Sequence, residues 1–158
     1  MFCDVRARED DRAALQNGVG GVMRILILSY LKKDSKKHQD ILKKLEQAAV
    51  AGGHQVDVKE GDRDYDQLHL VIYDYIAVVV PASPIIGAKL NPKITEAFAQ
   101  GGSTSGKKGC ALVVKSGLSS EKMCRVVMKA MEKEGIVVDY FEVITNVDHA
   151  AYVGKRLG

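Results

Sequence analysis

The chain is expected to fold as a three-layer α/β/α sandwich around a five-stranded parallel sheet. Three segments are short, unbroken apolar runs: residues 25–28 (Ile-Leu-Ile-Leu), 75–80 (Tyr-Ile-Ala-Val-Val-Val) and 109–114 (Gly-Cys-Ala-Leu-Val-Val). A strand that is apolar on both faces belongs in a parallel sheet covered by helices on both sides. Each run is followed by a polar loop and then by a segment of helical spacing, so strands and helices alternate. A length of 158 residues suits one domain with a two-sided core.

Taken in order, residues 1–22 show no period that survives their charges and end in Gly18-Val19-Gly20-Gly21-Val22. They read as a leader without regular structure, or as the product of an upstream start codon, with Met23 opening the first strand. Ile41, Leu42, Leu45, Ala48 and Ala49 then form one helical stripe, and Gly52-Gly53 stops that helix. Residues 54–60 alternate, with Val56 and Val58 inward, as a less buried strand near a sheet edge. Residues 61–70 form a polar connection with room for a helical turn. The strand at 75–80 ends in Pro81-Ala82-Ser83-Pro84, which cannot continue a central ladder. Pro92 suits the first position of a helix whose apolar face is Ile94, Ala97 and Phe98, ending at Gly101-Gly102. Ser119 or Ser120 caps the next helix, which carries Met123, Val126, Val127, Ala130 and Met131 on one face and ends at Gly135. Residues 137–144 make a fifth strand, its alternation interrupted by Asp139 and Glu142. Residues 147–158 read as a short final helix weakened by Gly154.

Composition excludes several classes. The chain is 46% hydrophobic and 27% charged, as in ordinary globular proteins. No apolar run approaches the ~20 residues that span a bilayer, and no secretory signal opens the chain, which makes the cytoplasm the expected compartment. Cys3, Cys110 and Cys124 lack metal-ligand spacing and read as thiols, the last two buried. His38, His54, His69 and His149 are scattered, and no pair has metal-ligand spacing. The net charge of +3 is far from the dense basic stripe of a nucleic-acid binder.

Function is sought first in the loop after residues 25–28, because helix N-termini there attract anions. It reads Ser29-Tyr30-Leu31-Lys32-Lys33-Asp34-Ser35-Lys36. A second loop reads Ser83-Pro84-Ile85-Ile86-Gly87-Ala88-Lys89-Leu90-Asn91-Pro92, and a third Lys115-Ser116-Gly117-Leu118-Ser119. With these three loops in this element order, residues 23–158 resemble the flavodoxin-like family. The resemblance implies a strand order of 2-1-3-4-5 and an FMN cofactor. It assigns Ser29, Lys32, Lys33, Asp34, Ser35 and Lys36 to the phosphate, and Ser83, Pro84, Ile85, Ile86 and Gly87, with Ser116 and Gly117, to the ring. Lys33 stands where the family has glycine, and a side chain there costs free energy where the backbone needs φ > 0. Asp34 replaces a neutral asparagine, and Ile86 takes the place of a stacking aromatic. No catalytic residue and no metal ligand is assigned.

Three functions follow. One is an FMN-binding redox protein, an electron carrier or reductase, working with a redox partner protein. Another is a flavodoxin-like module without flavin that acts through protein contacts, including contacts with further copies of itself. The third takes Lys32, Lys33, Lys36, Lys37 and His38 as a site for another phosphorylated ligand. No nucleic-acid or membrane partner is expected.

Overall fold

The computed structural model describes residues 21–64, 66–82, 89–117 and 119–158. The readings of residues 1–20, and those of Ser83, Pro84, Ile85, Ile86 and Gly87, lie outside the described residues. Strands β1 (Arg24–Ser29), β2 (Gln55–Glu60), β3 (Tyr75–Pro81), β4 (Lys108–Val114) and β5 (Val137–Ile144) form one sheet in the order β2-β1-β3-β4-β5. Every pairing is parallel, as the unbroken apolar runs require. Helices α1 (Lys36–Ala51), α2 (Gly61–Asp64), α3 (Pro92–Gln100), α4 (Ser120–Lys133) and α5 (Val147–Gly154) lie in the connections, with a 3-10 turn at Leu70–Ile72. Among the described residues, no helix is long and apolar enough to cross a membrane.

Period-two alternation divides the core. Leu26, Leu28, Ile76, Val78, Ala111 and Val113 face α3 and α4, where Ile94, Phe98, Val127 and Met131 meet them. Ile25, Ile27, Ala77, Val79, Leu112 and Ile144 face α1 and α5, against Ile41, Leu45, Ala150 and Val153. The central strand residues are fully buried, each large one worth ~1.5–3 kcal/mol of apolar transfer. Both Cys110 and Cys124 are buried free thiols.

One sequence reading gains a second role and another is corrected. The last helix stops at Gly154, and the same glycine allows it to dock. A β-carbon there would meet Ala48 Cβ at 2.6 Å and Leu45 O at 2.8 Å, so α5 lies against α1 with no room for a side chain. The uneven alternation of β5 is a bulge rather than a pair of intruding acids. Val138 pairs with Gly109 and Tyr140 with Cys110, leaving Asp139 as the extra residue. The Asp139 carboxylate is used at once, accepting from Tyr75 Oη at 2.7 Å.

Local chemistry sets the helix starts that matter for the site. Ser35 caps α1, its Oγ accepting from His38 N at 3.4 Å. Asn91 caps α3, its Oδ1 accepting from Lys93 N at 3.0 Å, with Pro92 behind it.

Candidate functional site

Strand order reverses between β1 and β3, and a crevice opens at the carboxyl ends of the strands at such a point. A cleft of about 740 Å³ lies there, within the ~300–1,000 Å³ typical of small-molecule sites. The β1–α1 side supplies Tyr30, Lys32, Asp34, Ser35 and His38. Strand β3 supplies Val80, Pro81 and Ala82, while the approach to α3 supplies Lys89, Leu90, Asn91, Pro92 and Ile94. Ser116 and Met123 close the β4–α4 side. The β1–α1 side is charged and hydroxyl-bearing, while the remaining walls mix apolar Val80, Pro81, Ala82, Leu90, Ile94 and Met123 with polar Lys89, Asn91 and Ser116.

The β1–α1 loop is held from within. Tyr30 N donates to Val79 O at 2.8 Å and fastens the loop to β3. Leu31 N donates to Ser29 Oγ at 3.2 Å, and Lys32 N to His38 Nδ1 at 3.2 Å. A turn follows, with Ser35 N donating to Lys32 O at 3.4 Å, and Gln39 Nε2 donates to the same carbonyl at 3.0 Å. No described non-glycine residue has positive φ, so Lys33 sits in this turn without strain. The glycine of the family pattern is not needed here, because this loop turns without left-handed backbone.

The loop places the sequence-nominated residues differently. Lys32, Asp34 and Ser35 line the cleft, as does Ser116, whose amide donates to Ser120 Oγ at 3.4 Å. Ser29 is buried and its hydroxyl is engaged by Leu31. Lys33 leaves the cleft for β2, its Nζ 2.9 Å from Glu60 Oε2. Lys36 is exposed at the start of α1, and Gly117, at φ 61°, turns the chain toward α4. From sequence, Tyr30, Lys89 and Leu90 carry no individual site assignment, Met123 reads as helix packing, and His38 falls only within a cationic cluster. The available signal for Tyr30 was its position directly after β1, where the loop opens on the cleft.

Burial and the charges of Lys32 and Lys37 hold the His38 imidazole below the ordinary histidine range, with Asp34 opposing them. A neutral ring agrees with Nδ1 serving as an acceptor. Burial, with lesser contributions from Asp62 and Glu96, pushes the Tyr30 phenol well above its usual range, so it stays protonated.

Among solved structures, an NAD(P)H:quinone oxidoreductase from Methanothermobacter marburgensis superposes with a TM-score of 0.65 at 13% identity, covering 86% of this chain and 96% of that one. The flavodoxin of Megasphaera elsdenii in its two-electron reduced form gives 0.60 at 14% identity, covering 85% and 99%. A flavodoxin from the domain Archaea gives 0.59 at 16%, covering 85% and 95%. The fold is flavodoxin-like. No family model and no curated protein matches the chain. The flavodoxin-like likeness therefore rests on architecture, five parallel strands in the order β2-β1-β3-β4-β5.

Proposed function

We propose that the chain is an FMN-binding redox protein, an electron carrier or reductase working with a redox partner protein. One observation carries this reading: the switch-point cleft brings Lys32 and the Ser35 hydroxyl, with Asp34 beside them, into one space with the apolar Pro81, Ala82, Leu90 and Met123. A flavin phosphate is anionic and its ring is flat and largely apolar, so the cleft holds side chains suited to each part of the cofactor. Lys32 and the Ser35 hydroxyl would hold the phosphate, beside the first amides of α1. That helix has no acidic residue in its first turn and opens on Lys36 and Lys37, an arrangement that its dipole disfavours and an anion relieves. Pro81, Ala82, Leu90 and Met123 would pack on the ring and keep water from it. FMN, when bound, supplies one- and two-electron transfer.

The donor set fits a phosphate through side chains more than through a nest of amides. The Leu31 and Lys32 amides already have acceptors in Ser29 and His38. That observation favours a second reading, a site for a different phosphorylated ligand. The visible spectrum of the purified protein, before and after FMN addition and desalting, separates the two. A retained, shifted flavin band supports the redox reading. A colourless protein that is stabilised thermally by phosphate compounds but not by FMN supports the second. A colourless protein that responds to neither and elutes as an oligomer points to a module acting through protein contacts.

A further inference from the structure

We propose that His38 is a ligand-displaced cap on the β1–α1 loop: a dianionic oxyanion entering the cleft takes the Lys32 amide from the imidazole and favours its protonation. This rests on reading the cleft as a site for a phosphorylated ligand. Lys32 N lies 3.2 Å from His38 Nδ1, and both residues line the cleft. The bond therefore joins two residues of the cleft wall, within reach of a ligand in the cleft. The turn itself is braced by other groups. Gln39 Nε2 holds Lys32 O at 3.0 Å, and Ser35 Oγ holds the amide of His38 at 3.4 Å. The ring can leave without dismantling the backbone that carries it.

A ring nitrogen that accepts an amide proton keeps its lone pair, so the capping imidazole is neutral, with its proton on Nε2. An imidazolium has no acceptor. Protonation ends the bond, frees the Lys32 N–H toward the cleft and sets a cation beside it. Lys32 and Asp34 from the loop and Lys37 from the ring's own helix act on the imidazole, and Lys89 stands on another wall of the same cleft. The two nearer lysines and burial hold the ring neutral, while Asp34 works in the opposite sense. An oxyanion in the cleft adds to the side of Asp34. Binding and ring protonation must then promote each other by one common factor. A doubly charged oxyanion is favoured over a neutral ligand of the same shape, and its binding draws a proton from solvent.

Sulfate is the probe, because it does not titrate across the histidine range. It is added to the full chain at ionic strength held constant with chloride. NMR follows the Lys32 amide and the His38 ring nitrogens while sulfate affinity is measured from about pH 8 to about pH 5. The Lys32 amide is expected to titrate together with the ring. Sulfate affinity should rise about five- to tenfold toward the acid end, with the ring pKa raised by sulfate to match. His38→Gln keeps an acceptor that does not titrate, and its affinity should be flat with pH. His38→Ala removes the cap and should be flat at a higher affinity than the wild type shows at the alkaline end. A Lys32 amide indifferent to the ring, a wild-type profile equal to that of His38→Gln, or no sulfate response at acid pH overturns the proposal. The wild-type NMR decides even if a variant misfolds. FMN forms a separate arm. If FMN fails to bind at any pH while sulfate and ring remain coupled, the cap stands and the flavin reading falls. If FMN binds equally at all pH values and leaves the ring unmoved, the cap falls and the flavin reading stands.

Discussion

The ring of Tyr30 lies over the α-carbon of Gly61, so close that a β-carbon built there would meet its Cζ and Cε1. The Tyr30 hydroxyl, which that β-carbon would also meet, donates to Lys93 O at 3.3 Å in the first turn of α3. One side chain therefore ties the end of β2 to α3 while also lining the cleft. Gly61→Ala should push this ring off its seat. The expected loss is ~1–3 kcal/mol of stability from overpacking, read as a lower urea midpoint at unchanged slope. Any ligand bound in the cleft should weaken in parallel, because the displaced ring has the cleft beside it.

Gly154 offers a second test, in which propensity and packing pull in opposite directions. Replacing a helical glycine by alanine gains ~1 kcal/mol where the site is open. Here the new methyl would meet Ala48 Cβ at 2.6 Å and the Leu45 carbonyl at 2.8 Å, and backbone cannot yield cheaply. Packing should win, and Gly154→Ala should lower stability by ~1–3 kcal/mol in urea denaturation. A gain would mean that α5 can lift from α1 at little cost.

These contacts mark where the sequence was legible. The runs at 25–28, 75–80 and 109–114 revealed buried parallel strands, because two-sided burial leaves a mark at every position. Val56 and Val58 marked β2 as an edge strand, since only alternate residues there need be apolar. The docking role of Gly154 was not legible, because a glycine required by a helix more than a hundred residues earlier looks locally like a helix end. The Asp139 bulge depended on register with β4, which no local pattern encodes. In the site, Lys32, Asp34 and Ser35 were legible from their place after β1. The diversion of Lys33 to Glu60 and the capture of the Lys32 amide by His38 were not, because each depends on how the loop turns.

Tyr73 predicts an alkaline limit to stability. Its hydroxyl donates to Asp57 Oδ2 at 2.8 Å, and the Arg24 guanidinium lies 5.4 Å from the ring centre. Burial first, then the Asp57 hydrogen bond and charge, push this phenol up to about 12 from an ordinary value near 10, against a smaller opposing effect of Arg24. The folded chain holds the proton more tightly than the unfolded one. The stabilising contribution is therefore complete below about pH 10 and is lost as pH rises toward about 12. Cys124, pushed up to about 11 chiefly by burial, begins the decline earlier. Urea midpoints should fall progressively above about pH 9. Tyr73→Phe should cost ~1 kcal/mol at neutral pH and make the fall between about pH 10 and about pH 12 shallower. An unchanged slope in that variant would show that Tyr73 does not contribute to the alkaline transition.

Lys32 and Lys33 are neighbours that should behave differently. Lys32 lines the cleft, whereas Lys33 is 2.9 Å from Glu60 and absent from the lining. If the cleft holds FMN by its phosphate, Lys32→Ala should weaken binding by about tenfold, as a charge-assisted contact worth ~1.5–3 kcal/mol is lost in part to screening and to the remaining donors. Lys33→Ala should change it by less than about twofold, because an exposed ion pair contributes ~0–1 kcal/mol and lies off the ligand path. Flavin fluorescence titration of both variants with FMN and with riboflavin provides the measurement. The Lys32 effect should vanish with riboflavin, which lacks the phosphate. Equal losses for the two lysines would place the anion across the whole loop, and a Lys32 effect that persists with riboflavin would move that side chain from the phosphate to the ring.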